Sequence, residues 1–248
     1  VALRPSAAEQ AARVDLAAAY RLAALSGWDD TIYTHISAAV PGEEGVYLIN
    51  PFGLLFDEVC ASNLVKVNTR GEKLDDSPYE VNPTGFAIHG AIHAARPSAR
   101  CVLHLHTHWG MALAMLPDGL LPTTQHAMRL FKRIGRHTYE GLALGEAEAA
   151  RLVANLGTLD GLILENHGTL TVGASVAEAY MLMHHLERAA RAQLTAMAAT
   201  GGTVLQTSDA VAQHTYRQWV GDGSERDGDA EWPALLRRLD KIDPSYRS

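Results

Sequence analysis

The chain has 248 residues, 47% of them hydrophobic and 20% charged. That length holds one large domain or two small ones with ample core, and so much aliphatic material excludes a disordered chain. Lys and Arg total 21 against 28 Asp and Glu, and the net charge of −7 argues against a nucleic-acid footprint or a polybasic membrane anchor.

Residues 7–26 repeat Ala and Leu at three- and four-residue spacing, the pattern of an amphipathic helix closed by Gly27. Short β-type runs follow at 31–37, 45–50 and 64–68, the second ending at Pro51 and the third before a turn at Gly71. Residues 84–95 predict a helix, with Thr84 as N-cap and Pro97 as a stop. A buried strand is expected over 101–106, a helix over 108–115 and a turn at Pro117-Asp118-Gly119. A helix over 147–156 leads to an apolar strand over 161–165, which runs through Asn166-His167-Gly168 into a strand over 169–172. The longest helix spans 177–200 and ends at Gly201-Gly202. Composition then turns polar, and residues 221–231 read as a mobile linker. The economical organisation is one α/β domain over 1–202 and a C-terminal tail over 203–248, packed on the domain or on a neighbouring subunit.

Cys60 and Cys101 are too few for a disulfide framework and read as buried free thiols of a reducing compartment. No apolar run approaches the roughly 18 residues of a membrane span. No basic-then-apolar leader opens at Val1, so a soluble, cytoplasmic protein is expected.

Twelve histidines are the compositional anomaly. His104 and His106 stand at i and i+2 of a strand, so both imidazoles can reach one cation; a hydrogen-bonded polar rim is the alternative. His167, at a second strand end, can complete a three-imidazole site whose open fourth position is the catalytic arrangement. Spacing alone does not bring the two strands together.

Five elements occur in order: Thr34-His35-Ile36-Ser37, Asn50-Pro51-Phe52-Gly53-Leu54-Leu55, Gly85-Phe86 with His89, His104-Leu105-His106-Thr107, and Asn166-His167-Gly168. Together they resemble the class II aldolase/adducin family, over roughly residues 10 to 202, with His106 and His167 61 positions apart. The resemblance implies a three-layer α/β/α fold around a mixed, largely antiparallel sheet. It implies a homotetramer with active sites between neighbouring subunits. It also implies metal ligands at His104, His106 and His167, holding zinc, or manganese, cobalt or iron in some members. In such enzymes the ion binds adjacent substrate oxygens and stabilises the enediolate left by carbon–carbon cleavage.

The departures from the family pattern bear on substrate. Sugar-phosphate aldolases of the family carry a Glu about nineteen positions before the first ligand histidine, and that position is Gly85 here, so the usual general base is missing. The small polar pair before it reads Pro83-Thr84, the Thr-Gly of an earlier loop reads Phe52-Gly53, and an Asn on the first hairpin reads His35. Phe52 offers no donor where backbone amides and hydroxyls would hold a dianion. The pattern is similar to the adducin-like bacterial branch, which includes decarboxylases and other enzymes acting on carboxylated or aromatic compounds.

For proton transfer the candidates are His126, Glu165 and His35. Glu165 shares a face with His167 if the strand continues, as an orienting group, a fourth ligand or a base; a salt-bridged strand-end Glu is the alternative. His126 falls near a catalytic Tyr position that the family contributes across the subunit interface, or is an interface histidine. His35 can hold a substrate carboxylate, or is a hydrogen-bonded turn residue. Asn50, Phe52, Gly53, Thr84 and Gln125 are the expected substrate contacts. His89 and His93, at i and i+4 of a helix, read as packing or hydrogen-bonded side chains, and His108, His184 and His185 as structural. Tyr139 is a candidate pocket wall, while Tyr216 and Trp219 pack on the assembly or cover a neighbouring site.

The leading expectation is a metal-dependent carbon–carbon lyase, by aldol cleavage or decarboxylation, acting on a non-phosphorylated hydroxy-keto or carboxylated small molecule. The alternatives are a non-haem Fe(II) oxygenase on the same three histidines and a non-catalytic, adducin-like interaction domain.

Overall fold

The computed structural model describes residues 5–141, 146–221 and 226–248. Its centre is a seven-stranded sheet built from β1 (His35–Ala39), β2 (Val46–Ile49), β3 (Val65–Asn68), β4 (Cys101–Leu105), β5 (Ile134–His137), β6 (Gly161–Leu164) and β7 (Gly168–Gly173). The spatial order is β3-β2-β1-β4-β7-β6-β5. Every adjacent pair is antiparallel except β5 with β6, so the sheet is mixed and largely antiparallel.

Among the described residues, eight α-helices surround the sheet or pack on the helices that do: α1 (Ala7–Leu25), α2 (Pro83–Ala95), α3 (His108–Ala114), α4 (Gln125–Arg129), α5 (Glu146–Leu156), α6 (Val176–Thr200), α7 (Asp209–Val220) and α8 (Glu231–Ile242). Strand alternation divides the core. Leu103 and Leu105 of β4 join Leu16 and Tyr20 of α1 and Met183 of α6 on one face. Val102 joins Ile88 and Ile92 of α2 and Leu152 of α5 on the other. Burying each such aliphatic or aromatic side chain contributes about 1.5–3 kcal/mol. Ser175 caps α6 through Oγ, and Gly201, at a φ of 68°, closes it in the left-handed conformation.

Several boundaries differ from the sequence reading. Thr31 and Thr34 take φ values of 52° and 65°, and a bridge joins Asp30 to Tyr33, so a turn precedes β1 and the strand begins at His35. Helix α2 starts at Pro83, a residue pre-set for a first helical turn, which puts Thr84 inside the helix rather than at its cap. The side chain of Thr84 lies outside the described residues. β6 stops at Leu164 because Asn166 is left-handed (φ 54°) and the His167 N–H bonds back to the Leu164 carbonyl at 3.0 Å. β5 and α4 carry no sequence signal of their own; β5 has a Gly among four residues and is held by parallel pairing with β6.

Of the expected linker, residues 222–225 lie outside the description. Immediately beyond, Asp227 is half-buried between Arg129 and Arg133, the latter at 2.8 Å, so this part is pinned. Gly228 lies so close to Ala177 that a Cβ would stand 2.7 Å from its carbonyl carbon. Trp232 of α8 donates to Asp15 at 3.0 Å and packs on Tyr180. No helix among the described residues is long and apolar enough to cross a membrane.

Candidate metal centre

Strand register assembles the site. β4 pairs with β7 so that Leu105 faces Thr169, which brings the end of β4 against the turn between β6 and β7. His106 stands one residue past β4, and His167 sits in that turn. Gly168 permits the approach, since a Cβ there would lie 2.6 Å from the Leu105 carbonyl oxygen. The three rings, His104, His106 and His167, have centroids 4.7–5.0 Å apart, and each offers a nitrogen within 4.8 Å of the others.

Two of the rings are oriented from behind. His104 Nδ1 donates to the Thr169 carbonyl at 3.2 Å, and His106 Nδ1 to Asp30 Oδ2 at 2.9 Å. Both leave Nε2 for the centre, and His106 Nε2 is buried without a protein partner. Burial, then the neighbouring imidazoles, pushes His104 well below the ordinary histidine range and His167 down to about 4. Neutral rings with bare nitrogens are the ligand form of histidine, so the donor set fits a divalent cation. Asp30 carried no sequence signal; it becomes visible only when the turn before β1 folds against the end of β4.

His35 lies directly opposite His104 in the β1–β4 pairing, with ring centroids 5.2 Å apart and 2% of its surface exposed. It occupies the space beside Gly85, where a Cβ would stand 2.6 Å from His35 Cδ2. Burial, then His106 and His167, lowers its pKa to about 3. Tyr139 flanks the centre with its ring 6.2 Å from that of His167.

Other candidates go elsewhere. Because β6 ends at Leu164, strand alternation does not carry through to His167, and the Glu165 carboxylate instead accepts from Arg136 Nε at 2.9 Å. His126 stacks on His185 of α6 at 5.4 Å. Asn50 is buried with Oδ1 2.8 Å from the Tyr20 hydroxyl oxygen. Phe52 is 37% exposed, Gly53 turns the chain at a φ of 98°, and Gln125 is exposed at the start of α4. Cys101 is buried and Cys60 half-buried; both are free thiols. Trp219 lies under the Arg129 guanidinium, 4.4 Å from the ring centroid.

Residues 14–194 match the family described as the class II aldolase and adducin N-terminal domain. A Caulobacter vibrioides protein named for the class 2 aldolases is 49% identical over 97% of this chain and 93% of its own length. Alpha-adducin of Rattus norvegicus is 40% identical over 97% of this chain, which spans only 34% of that longer protein. A crystal structure of an aldolase II superfamily protein from Pseudomonas syringae superposes with a TM-score of 0.94, at 46% identity, over 99% of this chain and 98% of that one.

Proposed function

Because the chain belongs to the class II aldolase and adducin family, we propose that it is a metal-dependent carbon–carbon lyase acting, by aldol cleavage or decarboxylation, on a non-phosphorylated hydroxy-keto or carboxylated small molecule. The observation that carries the reading is the convergence of three imidazoles within 4.8 Å, with His106 Nε2 buried and unpartnered. His104, His106 and His167 would hold the cation, zinc being the first expectation and manganese, cobalt or iron the others. When bound, it supplies Lewis-acid stabilisation of the electron pair left by carbon–carbon cleavage.

The protein's own contribution is orientation and exclusion of competing charge. Thr169 and Asp30 fix the rings of His104 and His106, and burial disfavours protonation of His104 and His167. Gly85 removes the carboxylate of the family's aldolases, and His35 fills that space as the group facing a substrate hydroxyl. Phe52, exposed at the loop before Gly53, presents no donor to a phosphate dianion, which supports a non-phosphorylated substrate. Within this reading, His126 and Gln125 act across a homotetramer interface, Glu165 orients Arg136, and Asn50 supports the first hairpin through Tyr20.

The test is product analysis on zinc- and manganese-loaded protein with a panel of hydroxy-keto acids and hydroxy-aldehydes. Release of an aldehyde marks aldol cleavage and release of CO2 marks decarboxylation. Oxygen uptake by iron-loaded protein without either product would replace the lyase reading with an oxygenase. The 40% identity to alpha-adducin favours a second reading, a non-catalytic binding domain. Stoichiometric metal uptake with no turnover of the panel would support it.

A further inference from the structure

The end of β5 brings a further pair of polar side chains beside the three imidazoles. Parallel pairing sets His137, the last residue of β5, opposite Leu164, three positions before His167. On α5, Glu148, Leu152 and Asn155 stand at i, i+4 and i+7 and so share a helix face. That face meets β5: Asn155 Nδ2 lies 3.0 Å from His137 Nδ1, and Glu148 Oε1 lies 4.0 Å from His137 Nε2. His137 is 5% exposed, and its Nε2 is buried without a protein partner. His137, Glu148 and His167 line one cavity, with Ile88, Leu152 and Leu164 as its apolar walls.

The cavity gives the centre of a water molecule about 10 Å³, which is room for one. A separation of 4.0 Å is too long for a direct hydrogen bond between His137 and Glu148. Two hydrogen bonds of about 2.8 Å meeting at roughly a right angle span it. A water both donates and accepts, so it satisfies His137 Nε2 whichever ring nitrogen carries the proton, and it donates to the Glu148 carboxylate in either case. Thr169 and Asp30 hold His104 and His106 from behind, whereas among the described residues no hydrogen bond reaches the His167 ring.

We infer that one water molecule bridges His137 Nε2 and the Glu148 carboxylate and bonds the His167 ring, giving the third imidazole the support that Asp30 gives the second. His137 and Glu148 act through the water on His167 and are positioning residues. Asn155 steadies the His137 ring at its other nitrogen. The bridge belongs to the fold and forms without metal; its orienting role rests on the metal centre of the lyase reading above.

A crystal structure of the metal-free protein tests the bridge. One ordered water within about 3.2 Å of both His137 Nε2 and a Glu148 carboxylate oxygen is the expected result, and no water there overturns the bridge. Zn2+ competition with a chelator, together with the visible spectrum of Co2+-loaded protein, tests the orienting role. Glu148→Leu should weaken Zn2+ about tenfold and alter the Co2+ bands, and Glu148→Gln, which keeps an acceptor for the water, should restore both. Urea unfolding of the metal-free samples establishes that each variant is folded. Wild-type affinity and spectrum in folded Glu148→Leu, or equal losses in both variants, would overturn the role. Wild-type protein that takes up no Zn2+ removes the lyase reading and this role together, whereas normal uptake with no water in the cavity removes the bridge alone.

Discussion

Gly85→Ala sets two effects of opposite sign against each other. Inside a helix, Ala in place of Gly ordinarily stabilises by about 0.5–1 kcal/mol. At this position the new methyl would stand 2.6 Å from His35 Cδ2 and 2.9 Å from Cγ. That is about 1 Å inside ordinary contact between carbon atoms. His35 has little room to retreat, being bonded to His89 at 2.8 Å and packed on His104. Overpacking of this kind costs about 1–3 kcal/mol. Breaking the His35–His89 bond and leaving a buried group unpaired costs about 1–3 kcal/mol more. The balance is a net loss of about 3 kcal/mol, or roughly 6–12 °C in Tm for a chain of this size. Urea and thermal unfolding of the metal-free protein measure it. In a His35→Ala background the ring is gone, and Gly85→Ala should be neutral or stabilising there. A rise in stability on Gly85→Ala in the wild-type background would refute the close packing of His35 against this glycine.

Asp30→Ala removes the carboxylate behind His106 Nδ1 and should weaken Zn2+ binding about 10–100-fold, read by competition with a chelator. An unchanged affinity would mean that the turn does not orient the ligand. Asp227→Ala leaves the buried Arg129 and Arg133 without their shared carboxylate and should cost about 3–5 kcal/mol in urea unfolding, where a loss under about 1 kcal/mol would contradict the pinning. Acid should destabilise the metal-free fold through His89, His93 and His185, whose folded pKa values burial depresses, His93 to about 4 and His185 to about 3. Below about pH 6.5 the unfolded chain takes up protons that the folded chain refuses, so stability is complete above that pH and falls as pH falls. At pH 5 each such group costs about 2 kcal/mol, and equal urea midpoints at pH 7 and pH 5 would refute the assignment.

Much of this site could be read before folding because its signals are local. His104 and His106 share a strand face by period alone, and the Asn166-His167-Gly168 turn announces itself through the glycine that the Leu105 carbonyl requires. The same period misled at Glu165. Alternation holds only while a strand lasts, and the left-handed Asn166 ends it, sending the carboxylate to Arg136. Threonine suits a helix cap, but Pro83 starts the helix and puts Thr84 inside it. Helical period sets His89 and His93 on one face, yet their partner Ser37 is set by how α2 lies on β1, which no local pattern encodes. Asp30 and β5 were missed for the same reason: one depends on a turn folding back on β4, the other on a parallel neighbour distant in sequence.

The direct test of the whole account is calorimetric Zn2+ titration of metal-free protein, paired with metal analysis of the product. One ion per chain, with binding lost or greatly weakened in His104→Ala and His106→Ala folded variants, is the predicted result. A folded wild-type protein that takes up no divalent ion, or takes it up equally well without those imidazoles, would contradict it.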